Sequence, residues 1–200
     1  MDLNIIYTDN EIRRIVLSNI TKMLERRKLI NSDSILFQDS EINNLSNILY
    51  KFNISDGSPY EIFFVNYKVS NIANNSQLDN YLKQKSEVHK ILILYDGIKK
   101  ALKQIVTSYK NTEFFFEHEM LEDIPSKHFV PEHQLLNDDQ KTEILNKFSE
   151  SELAKILSTD MMSRYYAAKP GDIFRIIRPS YISGKNIFYR RVISGNYDIF

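Results

Sequence analysis

The sequence predicts an α+β protein in two parts, a three-layer α/β domain at residues 1–120 and a small α+β domain at residues 126–200. Between residues 60 and 117, strand-like and helix-like segments alternate, which favours a parallel sheet covered by helices. After about residue 120 the composition changes, because four of the five prolines lie there: Pro125, Pro131, Pro170 and Pro179.

Two helices are predicted at the start of the first part. Thr8 or Asp9 can cap the first helix, because an oxygen at this position accepts a bond from a free backbone N–H. Its apolar residues recur at helical spacing: Ile12, Ile15, Val16, Ile20, Met23 and Leu24. The second helix is predicted from Ser40 to Leu49. The Ser-Asp-Gly-Ser-Pro cluster at residues 55–59 then breaks the chain.

The alternating region contains three predicted strands and two predicted helices. Aromatic and branched residues indicate strands at residues 60–67, 89–95 and 113–117. Helices are predicted at residues 77–85 and 97–109. The second of these helices has its apolar residues on one side: Ile98, Leu102, Ile105 and Val106.

The second part contains short elements with clear boundaries. A helix is predicted from Asn137 or Asp138 to Phe148, followed by a capped turn that carries Leu153, Ile156 and Leu157. Asp160 can cap another turn at residues 161–166. Lys-Pro-Gly at residues 169–171 forms a turn, and strands are predicted at residues 172–178 and 186–193.

Positive charge is concentrated in one segment, although the 26 basic and 26 acidic side chains of the whole chain cancel. Residues 164–191 have Asp172 as their one acidic residue against seven basic residues: Arg164, Lys169, Arg175, Arg178, Lys185, Arg190 and Arg191. Such a patch could face nucleic acid or an acidic protein. It could equally be a solvated face whose arginine stems pack along a sheet.

The composition excludes several kinds of site. Without cysteine there is no disulfide, thiolate zinc site or cysteine nucleophile. Five scattered glycines form no phosphate-binding loop, and the four histidines form no HExxH pair, so neither a cofactor nor a metal is expected. His118 lies between Glu117 and Glu119, but on a strand it would point away from both. No apolar run of 18 residues predicts a membrane span, and residues 1–10 do not resemble a signal peptide.

A nuclease-like active site is the enzymatic alternative. In such a site two acids hold Mg²⁺ and a lysine orients the attacking water. Here Asp56 precedes the predicted strand at residues 60–67, and Asn66 stands before Lys68 where the second acid is expected. A neutral amide is a poor partner for Mg²⁺, so this pattern speaks against catalysis.

Five segments of the second part carry a family resemblance. They are Val-Pro-Glu-His at residues 130–133, Asp160 to Tyr166, Lys-Pro-Gly at residues 169–171, Ile-Ile-Arg-Pro-Ser at residues 176–180, and Tyr-Arg at residues 189–190. Their order and spacing resemble the C-terminal assembly domain of the fifth subunit of eukaryotic DNA-directed RNA polymerases, which in archaea is a small separate polymerase subunit. The resemblance covers roughly residues 118–192.

The resemblance implies a non-catalytic polymerase subunit whose C-terminal domain docks on the largest subunit. It also implies that residues 1–120 form a jaw domain near downstream duplex DNA. Because the net charge of the chain is zero, we expect DNA binding to be weak and without sequence specificity. The jaw's sheet resembles a nuclease fold that has lost its metal ligands, in agreement with Asn66. No membrane partner is expected.

Candidate binding residues follow from these two roles. Arginine suits bidentate contacts with a partner's carboxylates, although pairing within the domain to Asp160 or Asp172 is an open alternative. Arg175 should project from the opposite face of its strand to Arg178. The partner-binding candidates are Arg175, Arg178, Arg190, Tyr189 and His133, and the DNA-proximal candidates are Lys99, Lys100 and Lys103.

Two departures from the family pattern bear on these expectations. Met161 follows Asp160 where the family has proline, and residues 97–102 replace the jaw's Thr-Pro-Ser-Ala segment. A stand-alone α/β nuclease-like enzyme and a stand-alone DNA-binding module are the alternative functions. The Asn-, Ile- and Lys-rich composition favours a large DNA virus as the source. The chain would then act in the virion and host cytoplasm, whereas a cellular subunit would act in the nucleus.

Overall fold

The structure, a computed structural model, describes residues 7–31, 49–84, 87–180 and 184–195. The chain divides between Asp123 and Ile124 into two compact units. Each unit contains one four-stranded mixed sheet, which confirms the predicted α+β class.

The first unit begins with helix α1, Asp9–Arg26. Its strands are β1 (Leu49–Asn53), β2 (Pro59–Val69), β3 (His89–Gly97) and β4 (Thr112–Phe116), in the spatial order β1-β2-β3-β4. Helix α2 (Gln77–Lys83) connects β2 to β3, and helix α3 (Lys99–Ser108) connects β3 to β4. As the alternation predicts, β2, β3 and β4 are parallel, while β1 pairs antiparallel with β2.

Helices contact both faces of this sheet. On one face, the Arg13 guanidinium of α1 lies 5.7 Å from the centre of the Phe64 ring. On the other face, the Tyr81 ring of α2 lies 4.7 Å from the Phe63 ring. Tyr109, which directly follows α3, donates a hydrogen bond to Asp79 of α2 at 2.6 Å. Thr8 caps α1 through a reciprocal pair of bonds with Glu11, as its position predicts.

The second unit has strands β5 (Glu132–Leu135), β6 (Ala154–Leu157), β7 (Ile173–Ser180) and β8 (Gly184–Ile193), in the order β5-β7-β8-β6. The β5–β7 and β7–β8 pairs are antiparallel, and the β6–β8 pair is parallel. Its helices are α4 (Asp138–Lys147) and α5 (Met161–Tyr165). Each face of this sheet has its own apolar cluster, one around Phe174 and one around Ile173.

Several sequence-based predictions differ from the structure. Leu49 begins β1 rather than ending a helix, and the rest of that predicted helix lies outside the described residues. Residues 154–157 form a strand instead of a turn, and β7 continues through Pro179 rather than ending before it. His118 lies on a short 3₁₀ helix, Glu117–Met120, instead of a strand. No helix in the described ranges is long and apolar enough to cross a membrane.

Candidate partner-binding pocket

A cavity of about 230 Å³ opens on one face of the second unit's sheet. Strand alternation places side chains from three neighbouring strands around it, because His133 is paired with Ile176 and Arg190 with Phe174. The lining residues are Phe129, Val130, Pro131, His133, Ile156, Asp160, Met162, Ile176, Arg178 and Arg190. The cavity therefore brings together three of the five predicted partner-binding residues.

His133 has its orientation set by two contacts. Its Nδ1 lies 2.7 Å from the Pro131 carbonyl oxygen, which accepts a hydrogen bond from Nδ1–H. Its ring meets the Phe174 ring edge-to-face, with the ring centres 5.7 Å apart. Burial lowers the pKa of His133, and the charges of Arg190 and Arg178 act in the same direction. The neutral ring is therefore favoured, with Nε2 as a hydrogen-bond acceptor.

The two arginines of the cavity differ in exposure, but both lack an ion-pair partner among the described residues. Arg178 is exposed and lies 5.7 Å from the centre of the Phe188 ring, whereas Arg190 is half-buried. Within the part of the chain that the structure describes, neither guanidinium forms an ion pair with a carboxylate. The described residues thus leave both positive charges available to a partner.

The acidic residues considered as internal partners are used elsewhere. Asp160 accepts a hydrogen bond from the Met162 N–H at 2.9 Å and so caps α5. Asp172 accepts one from the Lys169 N–H at 2.7 Å and lies 3.9 Å from the Lys141 ammonium. Neither Asp160 nor Asp172 forms an ion pair with Arg178 or Arg190.

Arg175 and Tyr189 lie on the opposite face of the sheet, where they are paired in register. The Arg175 guanidinium donates to the Gln134 side-chain oxygen at 3.4 Å. Tyr189 packs against the apolar cluster formed by Ile144, Leu153 and Ile173. The structure therefore separates these two candidates from the cavity and gives both of them contacts within the unit.

The DNA-proximal candidates lie on one helix of the first unit. Lys99, Lys100 and Lys103 are exposed on α3, whose first turn contains no acidic residue. Ile98 occupies the N-cap position before the helix, and its side chain forms no capping hydrogen bond. The positive end of the helix dipole and three lysines thus occupy the same region of the surface.

The residues of the nuclease pattern form contacts of other kinds in the structure. Asp56 accepts a hydrogen bond from the Ser58 N–H at 2.7 Å, which lowers the pKa of its carboxyl group. Asn66 is exposed at the edge of a second cavity of about 350 Å³, and Lys68 forms a 2.7 Å ion pair with Asp96. No three His, Asp or Glu side chains of the described ranges are grouped so that they could hold a metal ion.

Sequence reasoning missed two apolar residues of the cavity, Phe129 and Met162. It also missed Phe188, whose ring centre lies 5.7 Å from the Arg178 guanidinium. The available signal was proximity in sequence, because Phe129 directly precedes the Val-Pro-Glu-His segment and Met162 directly follows the Asp160-Met161 pair.

Comparisons with known proteins match both parts of the chain. Residues 122–192, which contain every residue of the cavity, match the family model for the RNA polymerase Rpb5 C-terminal domain. DNA-directed RNA polymerase subunit 5 of Acanthamoeba polyphaga mimivirus is 30% identical over 200 residues, covering 96% of this chain and 97% of that protein. Subunit Rpo5 of Saccharolobus solfataricus is 43% identical over 74 residues, covering 36% of this chain and 88% of its own. Subunit rpabc1 of polymerases I, II and III of Dictyostelium discoideum is 28% identical over 136 residues, covering 64% of this chain and 69% of that protein.

Proposed function

The chain belongs to the subunit 5 family of DNA-directed RNA polymerases, and we propose that its second unit docks on the largest subunit through the cavity around His133, Arg178 and Arg190. The relatives are accessory rather than catalytic subunits, so this chain is a non-catalytic subunit of a multi-subunit polymerase. The stand-alone nuclease and DNA-binding alternatives are not supported by these relatives.

The docking proposal rests on one observation: two guanidinium groups border a cavity without a carboxylate partner among the described residues. A guanidinium holds a carboxylate through two parallel hydrogen bonds, and partial burial strengthens such bonds. Phe129, which is 71% exposed, supplies apolar area at the rim. The cavity therefore suits an acidic side chain of the partner that is flanked by apolar groups.

Docking is tested by co-purifying the largest subunit with the tagged full chain. Arg178→Ala and Arg190→Ala should each weaken the association by about 2–5 kcal/mol, because the partner's carboxylate would remain buried and unpaired. Arg178→Lys should rescue little, since lysine cannot form the bidentate contact.

Arg175→Ala is the matched control, because it removes an arginine from the opposite face of the same strand. Circular dichroism of each variant checks that the fold is retained. If Arg178→Ala and Arg190→Ala fold and assemble like the wild type, docking does not depend on these charges and the proposal fails.

The proposal extends to the first unit as a jaw with a nuclease-like sheet, placed near downstream duplex DNA. The mimivirus relative supports it, because the match covers this unit as well. Lys99, Lys100 and Lys103 are exposed on α3 and would face the phosphates. With zero net charge, few phosphates are neutralised at once, so binding should be weak.

DNA binding is measured as affinity for a duplex at several salt concentrations. The slope of log affinity against log salt should be shallow. Changing Lys99, Lys100 and Lys103 together to Gln should lower the magnitude of this slope by roughly 3 or less. Lys22, Lys51 and Lys68 changed to Gln provide a control with the same loss of charge. Nanomolar, sequence-specific binding at physiological salt would contradict the jaw proposal.

Two further proposals concern domains and location. We place the domains at residues 1–120 and 126–200, because the chain divides between Asp123 and Ile124 into two compact units and the model for the C-terminal domain matches residues 122–192. Cooperative unfolding of an isolated 126–200 fragment tests this division. The near full-length match to a viral protein supports a viral source, with action in the virion and host cytoplasm.

A further inference from the structure

Strand β8 extends beyond its neighbour β6. The parallel strand β6 pairs only with the last four residues of β8, Arg190 to Ile193. Antiparallel pairing with β7 covers the other side of β8 from Gly184 to Arg191. Among the described residues, the stretch from Gly184 to Tyr189 thus has no strand on its β6 side, which leaves an open sheet edge.

The backbone groups at this edge are identified by the hydrogen bonds at the end of β8. The Val192 N–H donates to Asp172 at 2.8 Å, towards β7, whereas the Ile193 carbonyl accepts from the Ser158 N–H at 2.8 Å, towards β6. Successive residues of a strand alternate in this direction. The N–H and C=O groups of Lys185 and Ile187 and the N–H of Tyr189 therefore point to the open edge, whereas the Tyr189 C=O faces Ala154 at the start of β6.

The outer edge of β7 is different. Strand β5 covers β7 from Phe174 to Ile177, and Pro179 follows where β5 has ended. Proline has no N–H to donate, so it hinders the addition of a strand at its edge. The β8 edge contains no proline and keeps every donor.

The surface of the open stretch is apolar and positively charged. Residues 184–188 are all exposed, and Ile187 and Phe188, each 46% exposed, present apolar side chains on opposite faces. Residues 173–195 contain no Asp or Glu but five basic residues: Arg175, Arg178, Lys185, Arg190 and Arg191. An exposed apolar strand edge of this kind is a template for pairing with another chain.

We infer that the open edge of β8, residues 184–189, accepts an extended acidic segment of a partner polymerase subunit as an added strand. This inference rests on the proposed docking of the second unit. The six open residues match the length of an ordinary strand. Main-chain hydrogen bonds would provide the pairing, and acidic side chains of the segment would complement Lys185, Arg178 and Arg190. The added strand would lie in line with β6 along the edge of β8.

One test changes a single outward donor. Ile187→Pro removes the N–H that faces the open edge but no N–H of the β7–β8 ladder, so association of the full chain with the largest subunit should weaken roughly tenfold or more. Ile187→Thr keeps the N–H and a strand-forming side chain, and it should bind within about twofold of the wild type. Equal binding of Ile187→Pro and Ile187→Thr, with the fold retained, would overturn the inference.

Hydrogen exchange of the wild type provides a second measurement that does not depend on the folding of the proline variant. In the isolated chain the amides of Lys185, Ile187 and Tyr189 should exchange faster than those of Asn186 and Phe188, which face β7. Assembly with the polymerase should slow the outward amides. Unchanged exchange on assembly would overturn the inference, as would slow, concentration-dependent exchange in the isolated chain, which would identify a second copy as the occupant.

The outcomes separate the two proposals. If Arg178→Ala loses association while the outward amides of β8 stay unprotected, docking stands and strand addition fails. If the arginine variants assemble normally and the β8 amides also remain unprotected, both proposals fail.

Discussion

The two units of the chain differ in how their charged side chains are paired. In the first unit, Lys90 is 1% exposed and Glu113 is largely buried, and both are bonded within the unit. In the second unit, Arg178 and Arg190 border a cavity and pair with no carboxylate of the described residues. Burying a charge is costly unless it is paired, so the bonded charges must serve the fold. The arginines at the cavity are instead the groups that we propose bind a partner.

The strongest test of the comparison removes the charge of Glu113. Its carboxylate accepts two hydrogen bonds from Arg27, at 2.7 and 2.8 Å, and lies 2.9 Å from Nε2 of His89. Glu113→Gln removes the negative charge that both terminal nitrogens of Arg27 contact, and the Arg27 side chain is only 5% exposed. We expect a loss of about 3–5 kcal/mol in the free energy of unfolding, measured with urea.

Asp96→Asn is the matched control, because Asp96 pairs with Lys68 at the surface. An exposed pair contributes little, so its loss should cost about 1 kcal/mol or less. If the two substitutions lowered the free energy of unfolding equally, the contribution of these ion pairs to stability would not depend on their burial.

Glu113 should also make the free energy of unfolding depend on pH. Burial alone would raise the pKa of Glu113, but the Arg27 charge and the hydrogen bonds from Arg27 and His89 lower it to about 2. A glutamate in the unfolded chain has a pKa of about 4.3. Because the folded pKa is the lower one, the stabilisation is complete above about pH 5 and is lost as the pH falls towards 2. The difference in unfolding free energy between wild type and Glu113→Gln should shrink over that range, whereas a constant difference would contradict it.

A smaller effect is expected at Lys90. Its ammonium donates to the carbonyl oxygens of Leu82 at 2.9 Å and Gln84 at 2.5 Å, and so caps the end of α2 from a neighbouring strand. Lys90→Met leaves those carbonyls without a donor, which should cost roughly 1–3 kcal/mol in unfolding free energy and speed hydrogen exchange in α2. Lys100→Met, on the exposed surface of α3, is the control and should change stability by less than about 0.5 kcal/mol.

The smallest expected effect is the stability change of Arg178→Ala. Its side chain is exposed, and its one described contact is with the Phe188 ring. Thermal unfolding should differ from the wild type by less than about 0.5 kcal/mol, even where association with the largest subunit is lost. A large loss of stability would remove the contrast between the two units, because this arginine would then support its own fold.

Patterns within single segments predicted much of the local structure. Apolar spacing and the Thr8 cap located α1, and the run of branched residues located β3. Alternation along β7 placed Arg175 and Arg178 on opposite faces. These features depend on neighbours a few residues apart, so the sequence is sufficient to predict them.

Three short strands were missed for the opposite reason. Strands β1, β5 and β6 have four or five residues each, and β5 reads Glu-His-Gln-Leu, without an apolar alternation. They are strands because a longer neighbour supplies the hydrogen bonds: β2 for β1, β7 for β5 and β8 for β6. Such pairing joins residues far apart in the chain, and propensity over four residues is too weak to indicate it.

Residue patterns along the chain were enough to predict the α+β class, the parallel strands of the first unit and the opposite faces of Arg175 and Arg178. Which charges meet depends on contacts between distant segments. His133, Asp160 and Arg190 surround one cavity because the strand order β5-β7-β8 and α5 bring them together. Lys90 is tolerated in a core because α2 ends beside it. Long-range strand pairing fixes both arrangements, since local preferences specify the type of an element but not its neighbours.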